Sequence, residues 1–291
     1  VAPAAGQPAG AAENKSGTIS VFFRRLRPAP GSPAMKYIRI FVGIILLLVA
    51  AVLVSGHEPD RPPAELDPIA TRPGDGAVLV IGGTRATGLE VVRVLRARGD
   101  DVVVLARPGS DASSAEATGA RIVRGDAMNP SDLDAALAQG RFRAVVSTLG
   151  ARGVDGPRPD FDGTRNAVDA ARKAGVQRFV LVTVIGAGDS REAAPWIARR
   201  FLAPVIAEKS KAEDFLRASG LAFTIIRPGG LLDKEAQGRA FLTEDTGAMS
   251  WIRRADLARL TVQALDDPRS VGKVYHAHDP ARTRFWSIAM N

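Results

Sequence analysis

The chain has 291 residues, enough for one large domain or two small ones, and its 46% hydrophobic and 24% charged residues are an ordinary globular balance. Without cysteine it can hold no disulfide, thiolate nucleophile or cysteine-ligated metal. The net charge of +8 is uneven: Lys15, Arg24, Arg25, Arg27, Lys36 and Arg39 face Glu13 alone in residues 1–55, a net +5, and the remaining +3 forms no basic stripe interleaved with aromatics, which argues against a nucleic-acid partner.

Residues 1–34 are rich in Ala, Gly and Pro and lack a sustained hydrophobic period, so they read as disordered. The first methionine is Met35, and a native start there is one reading of that stretch. From Met35 to Ser55, Lys36 and Arg39 lead into an uncharged apolar run, Ile40 to Val54. With Tyr37, Ile38 and Ser55 as flank, the segment approaches the ~20 residues that span a bilayer. No Ala-x-Ala cleavage site follows, so residues 37–55 are expected to be an uncleaved single-pass anchor, with a cleaved signal as the alternative. Residues 56–76 hold five prolines and read as a stiff linker holding a domain off a surface.

From residue 77 to 291 short apolar runs alternate with helical patterns. The predicted strands are 77–82, 101–106, 121–124, 143–148, 178–184 and 222–227; the predicted helices lie near 88–98, 131–139, 160–174 and 206–219. Ser131, with Asp134 three residues on, reads as a helix start, and Gly175 and Gly220 as helix ends. The alternation predicts an α/β fold, a Rossmann-type doubly wound parallel sheet with a small C-terminal substrate-side extension, whose ligands sit beyond the carboxyl ends of the strands.

Between the first strand and helix stands Gly82-Gly83-Thr84-Arg85-Ala86-Thr87-Gly88. A backbone must approach a pyrophosphate closely at such a turn, and helix N–H groups can receive it. Nineteen residues beyond Gly88, at the end of the second strand, stands Arg107 where an NAD site would place an acid; Asp111 lies further on. A guanidinium there suits a 2′-phosphate, and Arg85 offers a second, so NADP(H) is preferred over NAD(H).

These segments, with "GARIVRGDAMNPSDL", "VVSTLG", "DGTRNAVDAARKAGVQRFVLVTVIGAG", "EKSKAEDFLRASGLAFTIIRPGG" and "IRRADLARLTVQAL", resemble the atypical short-chain dehydrogenase/reductases, in the NAD(P)H-binding, NmrA-like and flavin/biliverdin-reductase-like group. The likeness spans roughly residues 77–278 and implies fold more specifically than reaction. In the G-x-x-G-x-x-G register Arg85 takes the middle glycine. In the T-G-x-x-x-G-x-G register of better-known superfamily members Gly82 and Gly88 are kept, Arg85 is the basic residue and Ala86 replaces the second glycine; the second register is preferred. The resemblance also implies that Asp126 and Ala127 sit beside the adenine, and that Ser147, Thr148 and Gly150 pass over the cofactor ribose. Asp126 reads equally well as a helix-capping residue.

The superfamily's usual chemistry uses a Tyr acid/base with a Lys four residues later, and a Ser for the substrate carbonyl. Lys209 matches the lysine, as a cofactor-ribose contact or else a solvated helix lysine, but Val205 stands where the tyrosine would be. Thr183 replaces the Ser, so the candidate catalytic residues are Thr183 and Lys209. Arg227, Pro228, Gly229 and Gly230 match a loop that borders the substrate pocket in relatives. Asp256 reads as a helix N-cap. His276 and His278 lack a third ligand, and no metal site is expected.

The basic flank predicts a cytoplasmic N-terminus, which would place residues 56–291 across the membrane from the soluble NADP(H) pool, so the side of the domain stays open. The leading expectation is a membrane-anchored NADP(H)-dependent reductase passing hydride to a small conjugated or carbonyl substrate. The alternative is a non-catalytic NADP(H)-binding scaffold, sensor or assembly factor of a membrane complex.

Overall fold

The structure, a computed structural model, describes residues 36, 37, 39–46, 56–69, 74–151 and 158–283. The chain divides into two units, residues 1–50 and 51–291. In the first, residues 36, 37 and 39–46 are helical and exposed. Among the described residues no helix is long and apolar enough to cross a membrane. The rest of the expected anchor, and the segment 1–34, lie outside the described residues.

The second unit begins its sheet with β1 (Ala77–Ile81), followed by α1 (Ala86–Arg98), β2 (Val102–Ala106), α2 (Ser113–Glu116), β3 (Arg121–Arg124), α3 (Pro130–Leu137), β4 (Phe142–Ser147), α4 (Asp162–Lys173) and β5 (Arg178–Val182). A 3₁₀ turn (Gly188–Ala193) leads to α5 (Trp196–Phe201), α6 (Ala203–Ala218) and β6 (Ala222–Pro228). Three short strands follow, β7 (Gly230–Leu232), β8 (Phe241–Thr243) and β9 (Trp251–Arg253), then α7 (Arg254–Asp266) and β10 (Lys273–His278). The main sheet has the order β3-β2-β1-β4-β5-β6-β10-β8, parallel throughout except for the antiparallel β8; β7 and β9 form a separate parallel pair.

Alternation along the strands explains the two layers. Val78 and Val80 of β1, Val102 and Val104 of β2 and Val146 of β4 pack with Leu89, Val92 and Leu95 of α1 and Leu257 and Val262 of α7. Their neighbours Leu79, Ile81, Val103, Leu105 and Val145 face the opposite side, against Leu133 of α3, Val168 of α4 and Leu216 of α6. Both faces are covered, so the strands carry no polar alternation, which is why they read as continuous apolar runs. Chain order reverses between β1 and β4, which opens the crevice where a doubly wound sheet binds its ligand.

Three expectations are corrected. Residues 56–69 do not stand apart from the domain as a linker; they lie along the domain. Gly56 N–H donates to Thr283 O, His57 and Met249 bond reciprocally, and Ala64 N–H reaches Leu242 O. Ala64, Leu66 and Ile69 pack on the core beside α7. Prolines keep this strap extended, and its apolar side chains alternate with charged ones, so composition alone reads as linker. At α3 the N-cap is Asn129, whose side-chain oxygen accepts from Ser131 N–H, rather than Ser131 itself. Asp256 is in the first turn of α7, behind an Arg253 N-cap, and accepts from the backbone N–H of Gln237 and Gly238, pinning the β7–β8 loop.

Candidate functional site at the carboxyl edge of the sheet

Register brings the predicted site residues to one edge. Ile81 is level with Leu105 and Ser147, Ser147 with Leu181, and Val182 with Ile226. Gly82, Arg107, Thr148 and Thr183, which follow their strands, and Arg227, near the end of β6, therefore line the same end.

Two glycines of the turn are required by close approach. Gly82 has φ +85°, and a Cβ there would lie 2.8 Å from Thr148 Oγ1. A Cβ at Gly88 would lie 2.2 Å from the Gly82 carbonyl oxygen and 2.6 Å from Thr148 Oγ1. Gly83 is wedged among Val80, Val92 and Val104. Ala86 is the only non-glycine with positive φ among the described residues, at +49°. That is a glycine-type backbone, so the geometry agrees with the register in which Ala86 takes the second glycine. The methyl is tolerated at a strain of about 1–2 kcal/mol. Helix α1 starts here with no side-chain cap and no acid in its first turn, and Arg85 and Ala86 are exposed. An uncapped, acid-free helix start suits an anion. Thr84 is half-buried, whereas Thr87 is buried and accepts a hydrogen bond from Arg254 Nη1, so its side chain serves the α1–α7 contact.

Arg107 is exposed directly after β2. The nearby Asp111 precedes the Ala112 N-cap of α2 and accepts from Ser113 N–H; the Ser113 side chain and amide together hold its carboxyl below the usual range. The Gly125 N–H donates to Ala106 O and sets the β3 exit beside Arg107. There Asp126 Oδ1 accepts from Met128 N–H in a local turn, its own N–H donating to Asp132. Ala127 is buried, its carbonyl receiving Asn166 Nδ2.

Beyond β4, Thr148 Oγ1 touches the Gly82 turn while Gly150 is exposed. Ser147 is fully buried, and its hydroxyl has no hydrogen-bond partner among the described residues. Lys209 of α6 is not a solvated helix lysine. It is buried, donates to Leu149 O at 2.8 Å and lies 3.1 Å from Asp160 Oδ1.

Thr183 donates to Glu213 Oε1 at 2.7 Å. The same carboxylate receives Arg227 Nε at 3.0 Å and Nη2 at 2.6 Å, and Arg227 Nη1 reaches Asp189. Arg227 is fully buried. Burial alone would lower its pKa, but the hydrogen bonds and charge of Glu213 outweigh that and raise it. The expected substrate-side arginine is thus enclosed in an ion pair, and Pro228 is buried too. Gly229 and Gly230 are small because β9 passes over them: added Cβ atoms would meet Ser250 O at 2.2 Å and the Trp251 ring at 2.4 Å. Tyr275, within β10, is buried in the core cluster that includes α7, and its phenol is pushed up to about 12, first by burial. His276 Nδ1 bonds Ala248 O and His278 Nε2 lies 3.1 Å from Glu58, so both serve structure.

Reasoning from sequence did not single out Asp160, Glu213 or Asp189. Their partners are 14 to 49 residues away in the chain, so no spacing rule joins them. Only the i, i+4 spacing of Lys209 and Glu213 on the buried face of α6 was a usable signal.

The residues present fit a dinucleotide: a cradle that Cβ atoms would fill, an uncapped helix start and an exposed arginine at the β2 exit. Residues 82–268 match the family described as NAD(P)H-binding. The chain belongs to that family. Within it, relatives bear different names. The "uncharacterized sugar epimerase YhfK" of Bacillus subtilis is 30% identical over 203 residues, 68% of this chain and 92% of YhfK. The photosystem II assembly factor Ycf39 of Synechocystis is 27% identical over 213 residues, 68% of this chain and 61% of Ycf39. The solved structure of ChuY, an anaerobillin reductase from Escherichia coli O157:H7, superposes with a TM-score of 0.63 at 30% identity, covering 70% of this chain and 97% of ChuY. This NAD(P)H-binding family is thus oxidoreductase-like, includes assembly factors, and holds the atypical short-chain and biliverdin-reductase-like group.

Proposed function

We propose that the chain is an NADP(H)-binding reductase that passes hydride to a small conjugated or carbonyl substrate, using no tyrosine acid. The observation that carries this reading is the Gly82–Ala86–Gly88 turn opening an uncapped α1, with exposed Arg107 where an NAD site would hold an acid. When bound, the dinucleotide supplies the hydride. The chain's own residues bind and orient: the α1 amides and Arg85 face the pyrophosphate, Arg107 the 2′-phosphate, and Lys209 the opposite ribose. Val205 stands in the tyrosine position and the Thr183 hydroxyl donates its hydrogen bond to Glu213, so in this reading the substrate proton comes from solvent. The same two facts favour a second reading, a non-catalytic NADP(H)-binding scaffold or sensor. Residues 37–55 would anchor either form to a membrane, a reading that rests on hydropathy and the basic flank alone.

The test is titration of the purified chain with NADPH and NADH, then NADPH oxidation with flavin, quinone and tetrapyrrole acceptors. Tight NADPH binding with turnover supports the reductase. Binding without turnover by any acceptor supports the scaffold, and failure to bind either nucleotide sinks both.

A further inference from the structure

We infer that Asp160 is the positioning residue for Lys209, fixing its ammonium over the half of the dinucleotide site remote from Arg107; this rests on the cofactor reading above. The β2-β1-β4 order puts Arg107 and the Leu149 loop on opposite sides of the glycine turn. With Arg107 at the adenosine end, the β4 side receives the nicotinamide ribose. Lys209 reaches that side from α6 and bonds Leu149 O, one residue beyond the Thr148 that touches Gly82.

Asp160 is placed to hold the ammonium and to do little else. Its carboxylate is 1% exposed, and apart from Lys209 Nζ no donor reaches either oxygen among the described residues. Its backbone is fixed at the start of α4, where Thr164 Oγ1 donates to its carbonyl and Gly163 N–H to that of Pro159. The amino end of α4 favours the negative charge. A buried ion pair with so few supporting hydrogen bonds is a poor stabilising device, because desolvation offsets the attraction. As a positioning device it is effective. Lysine has a long flexible stem, and two groups fix its head: the Leu149 carbonyl by a hydrogen bond and the Asp160 carboxylate by charge at 3.1 Å. The Asp160 carboxylate is too enclosed to meet a ligand, whereas the lysine side chain keeps 10% exposure. Asp160 therefore acts through Lys209.

The experiment titrates the full chain with NADPH and with 2′,5′-ADP, which lacks the nicotinamide ribose. It compares the native chain, Asp160→Asn, Lys209→Met and the double variant, with melting curves for each. Asp160→Asn and Lys209→Met should each weaken NADPH about tenfold, the value of one charge-assisted hydrogen bond, and leave 2′,5′-ADP unchanged. Adding Asp160→Asn to Lys209→Met should cost no further affinity. Parallel loss of 2′,5′-ADP, an additive double variant, or variants that bind NADPH as the native chain does would overturn the positioning role. Failure of the native chain to bind NADPH would overturn the cofactor reading with it. Should Asp160→Asn not fold, Asp160→Glu keeps the charge but displaces the ammonium, and it should lower NADPH affinity alone.

Discussion

Thr183 Oγ1 donates to Glu213 Oε1 across 2.7 Å, and Glu213 is held by the buried Arg227. The hydroxyl at the superfamily's serine position is therefore committed to a structural carboxylate. Thr183→Val should lower stability by about 1.5–3 kcal/mol, the range for a hydrogen bond to a charged group, and leave NADPH oxidation at its native rate. Glu213→Gln should cost about 3–5 kcal/mol, because it strands a buried guanidinium. Chemical denaturation and acceptor assays separate the two effects. A large fall in turnover for Thr183→Val at unchanged stability would return the threonine to the chemistry.

Ala86 holds a backbone conformation that glycine adopts without strain. Ala86→Gly should raise the unfolding free energy by up to about 1 kcal/mol, the relief of left-handed strain less the added chain entropy. Ala86→Val should destabilise. Urea unfolding measures both, and an unchanged Ala86→Val variant would contradict the geometry.

Arg107 is the discriminator proposed for the 2′-phosphate. Arg107→Glu should weaken NADPH at least about tenfold while NADH is held or tightened, since each charge-assisted bond lost is worth about 1.5 kcal/mol or more. Equal losses for both nucleotides by calorimetry would remove Arg107 from specificity.

Burial is the main cause of the lowered His276 pKa, against an ordinary value of 6.5, and its Nε2 has no partner among the described residues. The folded state therefore binds fewer protons than the unfolded chain below pH 6.5. Stability should be full above that pH and fall as the pH drops from 6.5 towards the folded-state pKa, by about 1.4 kcal/mol per unit. Denaturant titrations from pH 8 to 5 should show a slope that is reduced in His276→Gln and lost only when His278 is replaced as well, because burial lowers that imidazole too. A slope unchanged by His276→Gln would assign it to other groups.

The strap makes a prediction about chain length. A chain beginning at residue 56 should be more stable than one beginning at residue 74 by about 2–4 kcal/mol, given the half-buried Leu66 and Ile69 and the Ala64 bond to Leu242. Matching melting temperatures would show that residues 56–69 are a passive linker.

How much of this was legible in the sequence follows from the range of each interaction. β3 lies where its residues predicted, and the other five predicted strands are within two residues at each end, because apolar runs and helical spacing are local patterns. The glycine turn was legible for the same reason: Gly82, Ala86 and Gly88 act within one strand-turn-helix unit. β7, β8 and β9, three residues each, were not, since so short a strand is made by its neighbours rather than by its own period.

What the sequence alone determined is the doubly wound sheet, the phosphate-type turn with Arg107 beyond it, and the lack of a tyrosine four residues before Lys209. Only the tertiary structure decided that Arg227 turns inward to Glu213, that residues 56–69 are bound to the domain, and that Asp160 stands behind Lys209. These are charges paired across 14 to 49 residues and a strap bonded to strands some 180 residues later in the chain. A buried charge must find its partner wherever the fold brings one, and spacing along the chain carries no record of that choice.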